Sequence, residues 1–256
     1  MSFTVIIPAR LASTRLPRKP LADIGGAPMV VRVAQKAKLS SARRIVVAAD
    51  SDEIVVACRE HGVEALLTSI EHPTGTDRLA EAAHLLALGP DEIVVNVQGD
   101  EPLIPSRVIG QVAACLTAHT DCAIATAACP LFPQDAREFF DPNVVKVVVD
   151  RRGRALYFSR APIPWSREEF AVNRDRLPTE LPARRHIGLY AYRTRFLHEF
   201  PRLARDPLEE QEKLEQLRAI AHGFRIAVQD LGSPLPPGVD TAADLELVRA
   251  VWASQG

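Results

Sequence analysis

The stretch Thr4–Leu21, TVIIPARLASTRLPRKPL, decides the fold predicted for this chain. It begins with the apolar run Val5–Ile7, which is too short for a helix and is followed at once by a proline, as expected of a buried strand. Pro8, Pro17 and Pro20 then exclude a helix or a central strand from the next segment, because each fixes φ and removes a donor. The sequence therefore predicts a buried strand followed by a stiff loop at the edge of an open sheet.

This opening loop carries four cations, Arg10, Arg15, Arg18 and Lys19. Guanidinium groups bind phosphate oxygens through two parallel hydrogen bonds, and an ammonium group acts as a point charge. A solvated basic loop and a contact with RNA are the alternatives. The whole chain has 31 Lys and Arg residues against 32 Asp and Glu residues, so the basicity is local. The pattern favours a site for nucleotide phosphates over a nucleic-acid surface.

Composition limits the class of protein. With 256 residues, 47% of them hydrophobic, the chain can bury a large core as one α/β domain with an insertion, or as two domains. Its formal net charge of -1 argues against a general nucleic-acid or anionic-membrane binder. No stretch approaches the roughly 20 apolar residues of a membrane span, and no signal peptide is recognisable. Cys58, Cys115, Cys122 and Cys129 lack metal-site spacing, which is typical of a cytoplasmic protein in a reducing compartment.

Strand and helix patterns alternate along the first half of the chain. Asp50, with Glu53 three residues later, predicts the start of one of these helices. The alternation predicts an α/β fold with a doubly wound, mostly parallel, Rossmann-like sheet whose ligands bind at the carboxyl ends of the strands. Beyond the opening run, such strands are predicted at 44–49, 63–67, 92–97, 122–127 and 225–228.

The alternation of strand and helix patterns ends after residue 130. A hairpin is predicted at 144–159, an alternating strand at 185–193 and one continuous helix at about 208–222. We expect this region to form an inserted hairpin or lid subdomain. The expected division is a nucleotide-binding core of residues 1–129 and 223–256, and an inserted lobe of residues 130–222.

Two acidic residues are candidate metal ligands. Asp100 closes an apolar strand behind Gly99, where a backbone can approach a ligand closely and a carboxylate can hold Mg²⁺. A cap on the next helix is the alternative role. Asp240 also precedes a predicted helix, but Thr241 and Asp244 form a capping box of their own there. This leaves the Asp240 carboxylate available for a cation shared with Asp100.

Other polar residues have two interpretations each. Segment 72–78, HPTGTDR, is either an ordinary cap or a helix entry that binds a base edge or phosphate, with Arg78 reaching an anion. Arg160 projects from the end of a strand. His186 and Tyr190 share one strand face, which suits a sugar pocket or a dimer interface. Glu215 lies beside the apolar face of the helix predicted at 208–222, where a solvated acidic face is the alternative.

Eight motifs together resemble the family of bacterial 3-deoxy-manno-octulosonate (KDO) cytidylyltransferases, the CMP-KDO synthetases. The resemblance spans nearly the whole chain, and its opening motif is shared loosely with CMP-sialate synthetases and sugar nucleotidyltransferases. Arg18 stands where the family often has Gly, and Thr74 replaces a more usual Ser. The motifs are, in order, IIPARLASTRLPRKPL, HPTGTDRLAE, VNVQGDEPLI, NVVKVVVD, ALYFSRAPIPW, RHIGLYAYR, LEQLR and GVDTAADLELVR.

The resemblance implies a nucleotidyltransferase in lipopolysaccharide biosynthesis. The anomeric hydroxyl of KDO would attack the α-phosphate of CTP with Mg²⁺, giving CMP-KDO and pyrophosphate, and the enzyme would be a homodimer. Its implied catalytic residues are Lys19, Arg10, Asp100 and Asp240, the last two as metal ligands. The nucleotide would be bound by Pro8, Ala9, Arg10, Arg15, Lys19, Thr74, Gly75, Arg78 and Gln98. The sugar would be bound by Gln98, Arg160, His186, Tyr190, Glu215 and Gln216.

Two rival functions remain open at this point. One is transfer of CMP to a sialic acid, or of a nucleotide to a sugar phosphate, on the same fold. The other is a catalytically silent nucleotide sensor, which loss of Asp100 or Lys19 would suggest; both residues are present.

Overall fold

The computed structural model describes residues 2–13 and 15–254. Its strands are, in chain order, β1 (Phe3–Ala9), β2 (Asp23–Ile24), β3 (Ala27–Pro28), β4 (Arg44–Ala49), β5 (Ala65–Leu67), β6 (Ile93–Asn96), β7 (Ile124–Pro130), β8 (Lys146–Val149), β9 (Ala155–Ser159), β10 (Arg184–Arg193) and β11 (Ile226–Asp230). Its α-helices are α1 (Met29–Lys38), α2 (Asp52–Glu60), α3 (Gly75–Leu85), α4 (Ser106–Ala118), α5 (Ala136–Phe140), α6 (Glu169–Val172), α7 (Thr194–Glu199), α8 (Pro207–Glu212), α9 (Gln216–Ala221) and α10 (Ala242–Ala253). Short 3₁₀ turns occur at Lys19–Leu21, Pro133–Asp135 and Phe200–Arg202.

The chain packs as two compact units. The first contains residues 1–114, 189–201 and 235–256, and the second contains residues 115–188 and 202–234. These boundaries differ from the expected 1–129 with 223–256 and 130–222. β7 pairs with β11 inside the second unit, whereas the last residues of β10 pair with β6 inside the first. Within residues 2–13 and 15–254, no helix is both long and apolar enough to cross a membrane.

The first unit is built on a mixed, mostly parallel sheet with flanking helices. β1 lies between β4 and β6 and is parallel to both, β5 extends the sheet beyond β4, and β10 runs antiparallel to β6. Val5, Ile6 and Ile7 are completely buried, as expected for a strand covered on both faces. The predicted α/β class with a mostly parallel sheet is confirmed.

The opening loop contains one feature that its prolines were predicted to exclude. Lys19–Leu21 forms a single 3₁₀ turn, in which Pro20 occupies an early position that needs no backbone donor. Arg18, just before it, has φ 56°, in the left-handed region that glycine adopts without steric cost. This conformation accounts for the glycine that the resembled family often carries at this position.

The C-terminal helix α10 is held in the first unit by apolar packing. Val239, Leu245 and Val248 are buried against Ile24 and Met29. Full burial of side chains of this size contributes about 1.5–3 kcal/mol each. The segment before α10 is therefore fixed where residues 235–256 return to the first unit.

The second unit has a core and sheet of its own. β7 and β11 are parallel, and β8 and β9 form the predicted antiparallel hairpin, whose turn contains Gly153 at φ 72°. The core of this unit packs Leu131, Phe139, Phe170 and Leu177 together.

The continuous helix predicted at 208–222 is wrong. Lys213 adopts φ 55°, and the segment divides there into α8 and α9. Across the break, Arg218 makes two hydrogen bonds of 2.7 and 2.5 Å to the Glu209 carboxylate. Nine residues along an unbroken helix would separate these side chains by about 13.5 Å on opposite faces. Glu215 consequently lies at the N-terminus of α9, and its predicted place on the face of a longer helix does not exist.

Candidate active site

Lys19 lies at the centre of a charged cluster in the first unit. Its Nζ donates to Asp100 Oδ2 at 2.6 Å and to Asp240 Oδ1 at 3.3 Å. Arg15 Nη2 lies 3.2 Å from the same Asp240 oxygen. The opening loop and both predicted acidic residues thus meet around one ammonium group, with Lys19 only 15% exposed and Asp240 55% exposed.

Backbone contacts bring the two carboxylates together. Val239 N donates to Asp100 O at 2.8 Å, which joins the segment before α10 to the loop after β6. Thr241 and Asp244 form the predicted capping box, in which Asp244 also accepts from the Asp240 amide. The Asp240 side chain is therefore not used as the cap and points to Lys19.

Gly99 allows the loop after β6 to lie against the end of β1. A Cβ atom at this position would be 2.8 Å from Pro8 O, closer than real Cβ atoms approach a backbone oxygen. Any other residue would displace Gln98 or Asp100 from the opening strand. The close approach seen at Gly99 is to the backbone of β1, and its predicted close approach to a ligand stays a prediction.

A cavity of about 250 Å³ lies between this loop and the opening loop. Seven of the predicted nucleotide or catalytic residues line it, and Ala12 and Ser13 are lining residues that sequence reasoning missed. Their short side chains, which leave room for a ligand beside the cations of the loop, could have indicated this position. The lining residues are Pro8, Ala9, Arg10, Ala12, Ser13, Lys19, Pro20, Gly75, Gln98, Gly99 and Asp100.

The segment 72–78 joins the cavity through its backbone. Arg10 Nη2 donates to His72 O at 3.3 Å, and Gly75 begins α3 in the cavity wall. The Thr74 hydroxyl caps α3, because it accepts from Asp77 N and donates to the Asp77 carboxylate at 2.7 Å. Thr74 is thus occupied as a helix cap and does not line the cavity.

Arg78 is completely buried and does not line the cavity either. Its Nη1 donates to Thr68 Oγ1 at 2.5 Å, and its Nη2 lies 3.8 Å from Asp50 Oδ2. Burial lowers the pKa of the guanidinium, and the Asp50 charge opposes that shift. The prediction that Asp50 begins a helix is wrong: Ser51 caps α2, and Asp50 instead accepts from Leu11 N at 2.9 Å.

Arg160, in the second unit, is held by backbone carbonyl groups. Its Nε donates to Glu212 O at 2.7 Å and its Nη1 to Pro142 O at 3.0 Å. The Glu212 carboxylate accepts from Arg160 N at 2.8 Å and from the Ser159 hydroxyl at 2.5 Å. Glu212 was missed because it belongs to an acidic run that resembles a solvated helix face.

Two further predicted sugar residues of the second unit are largely buried. His186 Nε2 lies 2.9 Å from the Thr126 hydroxyl, and burial lowers the pKa of His186 to about 3, so the ring is neutral. Gln216 is 8% exposed, and its Nε2 has no hydrogen-bond partner among the residues that the structure describes. Tyr190, in the first unit, stacks on Tyr192 with 5.8 Å between ring centroids.

The acidic pair fits a divalent cation bound together with a phosphate ligand. No cluster of three or more His, Cys, Asp or Glu side chains suited to a metal occurs in residues 2–13 and 15–254. Mg²⁺ is commonly held by one or two carboxylates, with phosphate oxygens and water completing its shell. Asp100 and Asp240 already share one cation, the Lys19 ammonium, so their oxygens converge as such a site requires.

A cationic loop after the first strand, a carboxylate pair beside it and a mostly parallel α/β sheet define a nucleotidyltransferase. A family model described as cytidylyltransferase matches residues 4–226. The chain therefore belongs to the cytidylyltransferase family.

Two solved structures are similar along nearly the full chain. One is a CMP:2-keto-3-deoxy-manno-octonic acid synthetase complexed with CTP; it is 36% identical, has a TM-score of 0.89 and covers 100% of this chain and 99% of its own. The other is a cytidylyltransferase from Leptospira borgpetersenii serovar Hardjo-bovis (strain JB197), 15% identical, with a TM-score of 0.60 and coverage of 99% of this chain and 87% of its own. At that identity the second likeness concerns the fold alone.

Proposed function

We propose that this cytidylyltransferase transfers CMP from CTP to the anomeric hydroxyl of KDO, for lipopolysaccharide biosynthesis. The hydroxyl oxygen forms a bond to the α-phosphorus, the bond to the bridging oxygen of pyrophosphate breaks, and the hydroxyl proton goes to water. The observation that carries the proposal is the convergence of Lys19, Asp100 and Asp240 beside a cavity. The full-length similarity to a synthetase complexed with CTP supports the choice of substrates.

Three cations of the opening loop, Arg10, Arg15 and Lys19, bind the triphosphate. Arg10 and Lys19 line the cavity, and Arg15 reaches the same carboxylate as Lys19. Transfer to a hydroxyl depends mainly on alignment and charge stabilisation, so Lys19 stabilises the charge that develops at the reacting phosphate. As the phosphate oxygens arrive, Lys19 and Arg15 turn from Asp240 to the ligand.

The cytosine side is framed mainly by backbone. Pro8, Ala9 and Gly75 line the cavity together with the Gln98 side chain. Thr74 contributes by capping α3 and so fixing the first turn of that helix. Arg78 lies in the same helix as Gly75 but is completely buried and does not contact the cavity.

Asp100 and Asp240 would hold Mg²⁺. When bound, the ion supplies neutralisation of phosphate charge and a lower pKa for the KDO hydroxyl. The two carboxylates come from different loops, so the chain must keep the Val239–Asp100 backbone contact to present them together.

The proposed sugar ligands are Arg160, His186, Glu215 and Gln216 in the second unit, and Gln98 and Tyr190 in the first. Arg160 Nη2 makes no hydrogen bond within the described residues and can pair with the KDO carboxylate. The buried Nε2 of Gln216 needs an acceptor, which a sugar hydroxyl or carboxylate provides. The neutral His186 ring contributes hydrogen bonding without charge.

An assay with alternative acceptors tests this function. The protein is supplied with CTP, Mg²⁺ and either KDO, a sialic acid or a hexose 1-phosphate, and pyrophosphate release is followed. We expect release with KDO alone. Release with sialic acid or hexose 1-phosphate instead would show that this rival compound is the acceptor. CTP binding without pyrophosphate release with any of the three acceptors would identify a nucleotide sensor.

A cytoplasmic homodimer completes the proposal. All four cysteines are free and buried, which suits a reducing compartment. Light scattering of the purified protein tests the dimer, and a mass of one chain across the working concentration range would contradict it.

A further inference from the structure

A buried carboxylate holds the loop that lines the cavity. Asp50 follows β4, its side chain is 5% exposed, and its Oδ1 accepts from Leu11 N at 2.9 Å. Asp50 N in turn donates to Ala9 O at 3.2 Å. The same residue therefore holds the loop through both its side chain and its backbone.

We propose that Asp50 is a positioning residue that sets the shape of loop 9–13 for the nucleotide. Ala9, Arg10, Ala12 and Ser13 line the cavity, whereas Leu11 does not. The anchored amide belongs to the residue in the middle of the run, so its hydrogen bond fixes the residues on both sides. The nucleotide part of this inference rests on the function proposed above.

Arg78 lies beside the Asp50 carboxylate inside the protein. Its Nη2 is 3.8 Å from Asp50 Oδ2, which is too far for a hydrogen bond but close enough for a strong charge interaction. Thr68 Oγ1 accepts from Arg78 and donates to Ala49 O at 2.8 Å. Thr68 and Arg78 form the surroundings of Asp50, whereas the bond to the Leu11 amide is made by Asp50 itself, and a carboxylate makes a stronger bond to an amide than a neutral acceptor would.

Two variants of Asp50 and one control separate this role from general destabilisation. Asp50→Ala removes both the acceptor and the charge, Asp50→Asn keeps an acceptor oxygen, and Thr68→Val removes a buried partner of Arg78 without touching Leu11. The readouts are hydrogen exchange of the Leu11 amide without nucleotide, and the dissociation constant for CTP measured by calorimetry.

We expect Asp50→Ala to speed exchange at Leu11 and to weaken CTP binding about tenfold, the value of one hydrogen bond to a charged group. Asp50→Asn should change CTP binding less than threefold, and Thr68→Val should lower Tm while leaving both readouts unchanged. Unaltered Leu11 exchange in Asp50→Ala, faster exchange with unaltered CTP binding, or equal weakening by Thr68→Val would overturn the proposal.

The unmodified protein provides a test that does not depend on the variants folding. Its Leu11 amide should exchange more slowly than the amides of Ala12 and Ser13, and equal rates would overturn the anchor. Absence of CTP binding by the unmodified protein would instead count against the proposed function, because the exchange measurement requires no nucleotide.

Discussion

Two charged clusters, one in each unit, are built in opposite ways. Around Lys19, single ion pairs of 2.6 to 3.3 Å join side chains that are between 15% and 68% exposed. The Glu209–Arg218 pair of the second unit is bidentate, and its side chains are 9% and 5% exposed. The first cluster borders a cavity, whereas the second joins two short helices across a break.

This difference separates charges that serve a ligand from charges that serve the fold. Exposed ion pairs contribute about 0–1 kcal/mol to stability, so a ligand can replace them at little cost. A buried pair is intolerant of losing one partner, since the other charge is then left without compensation. Substitutions in the first cluster should therefore alter turnover, and substitutions in the second should alter stability.

The largest expected effect is on the buried pair. Glu209→Ala leaves Arg218 unpaired and should lower the free energy of unfolding by about 3–5 kcal/mol, measured by urea denaturation. Glu210→Ala, at the exposed neighbouring position, is the matched control and should stay within about 0.5 kcal/mol of the parent protein. A loss below about 1 kcal/mol at Glu209 would remove the contrast between the clusters.

Lys19→Ala should show the reverse pattern. We expect kcat to fall on the order of 10² or more while Tm changes little, because the lysine acts on transition-state charge. Arg18→Gly is the control in the same loop: it removes a cation that pairs with Glu53, and its left-handed backbone accepts glycine. Near-normal turnover of Lys19→Ala at saturating CTP would show that Lys19 has no catalytic role.

Asp240→Asn should raise the Mg²⁺ concentration for half-maximal activity about tenfold, the order seen when groups that support a metal are altered. Glu246→Gln removes an exposed carboxylate of α10 that pairs with Arg249 and should leave the titration unchanged. If Asp240→Asn and the parent protein titrate identically, Asp240 has only a structural role before the helix.

The smallest effect concerns His186, a partly buried polar residue of the second unit. Burial holds its pKa at about 3, below the ordinary value of 6.5, so the unfolded chain binds more protons between these limits. This contribution to stability is present well above pH 6.5 and is lost progressively as pH falls toward 3, by on the order of 1 kcal/mol between pH 7.5 and 6.0. His186→Gln should remove this component of the pH dependence of unfolding, and an identical pH dependence would show an exposed ring.

The sequence predicted elements whose cause is local. Apolar runs identified the buried strands, and Thr241 with Asp244 identified the start of α10, because the bonds of a capping box lie within one turn. The helix at 208–222 was predicted wrongly because its break depends on Arg218 reaching Glu209. No local pattern encodes that contact.

The same limit applied to the site. Asp50 and Asp240 each stand before a helix in the sequence, yet neither uses its side chain as the cap. For Asp240, the capping box of Thr241 and Asp244 indicates in the sequence that the helix has another cap. For Asp50, the neighbouring Ser51 is an equally good cap candidate, and it is the residue that caps α2. Asp100 and Asp240 lie close together because Val239 is buried and its amide donates to Asp100 O. These are tertiary contacts, which the sequence alone does not reveal.

The joining of Lys19 to Asp240 across 221 positions also has a consequence during translation. A ribosome produces the cationic loop before most of the strands and Asp240 only after β1 to β11. Until α10 emerges and docks, the nascent polypeptide carries lysine and arginine side chains without that carboxylate. The acidic pair is thus incomplete until Asp240 has been synthesised, so a product terminated before that residue would lack half of the pair.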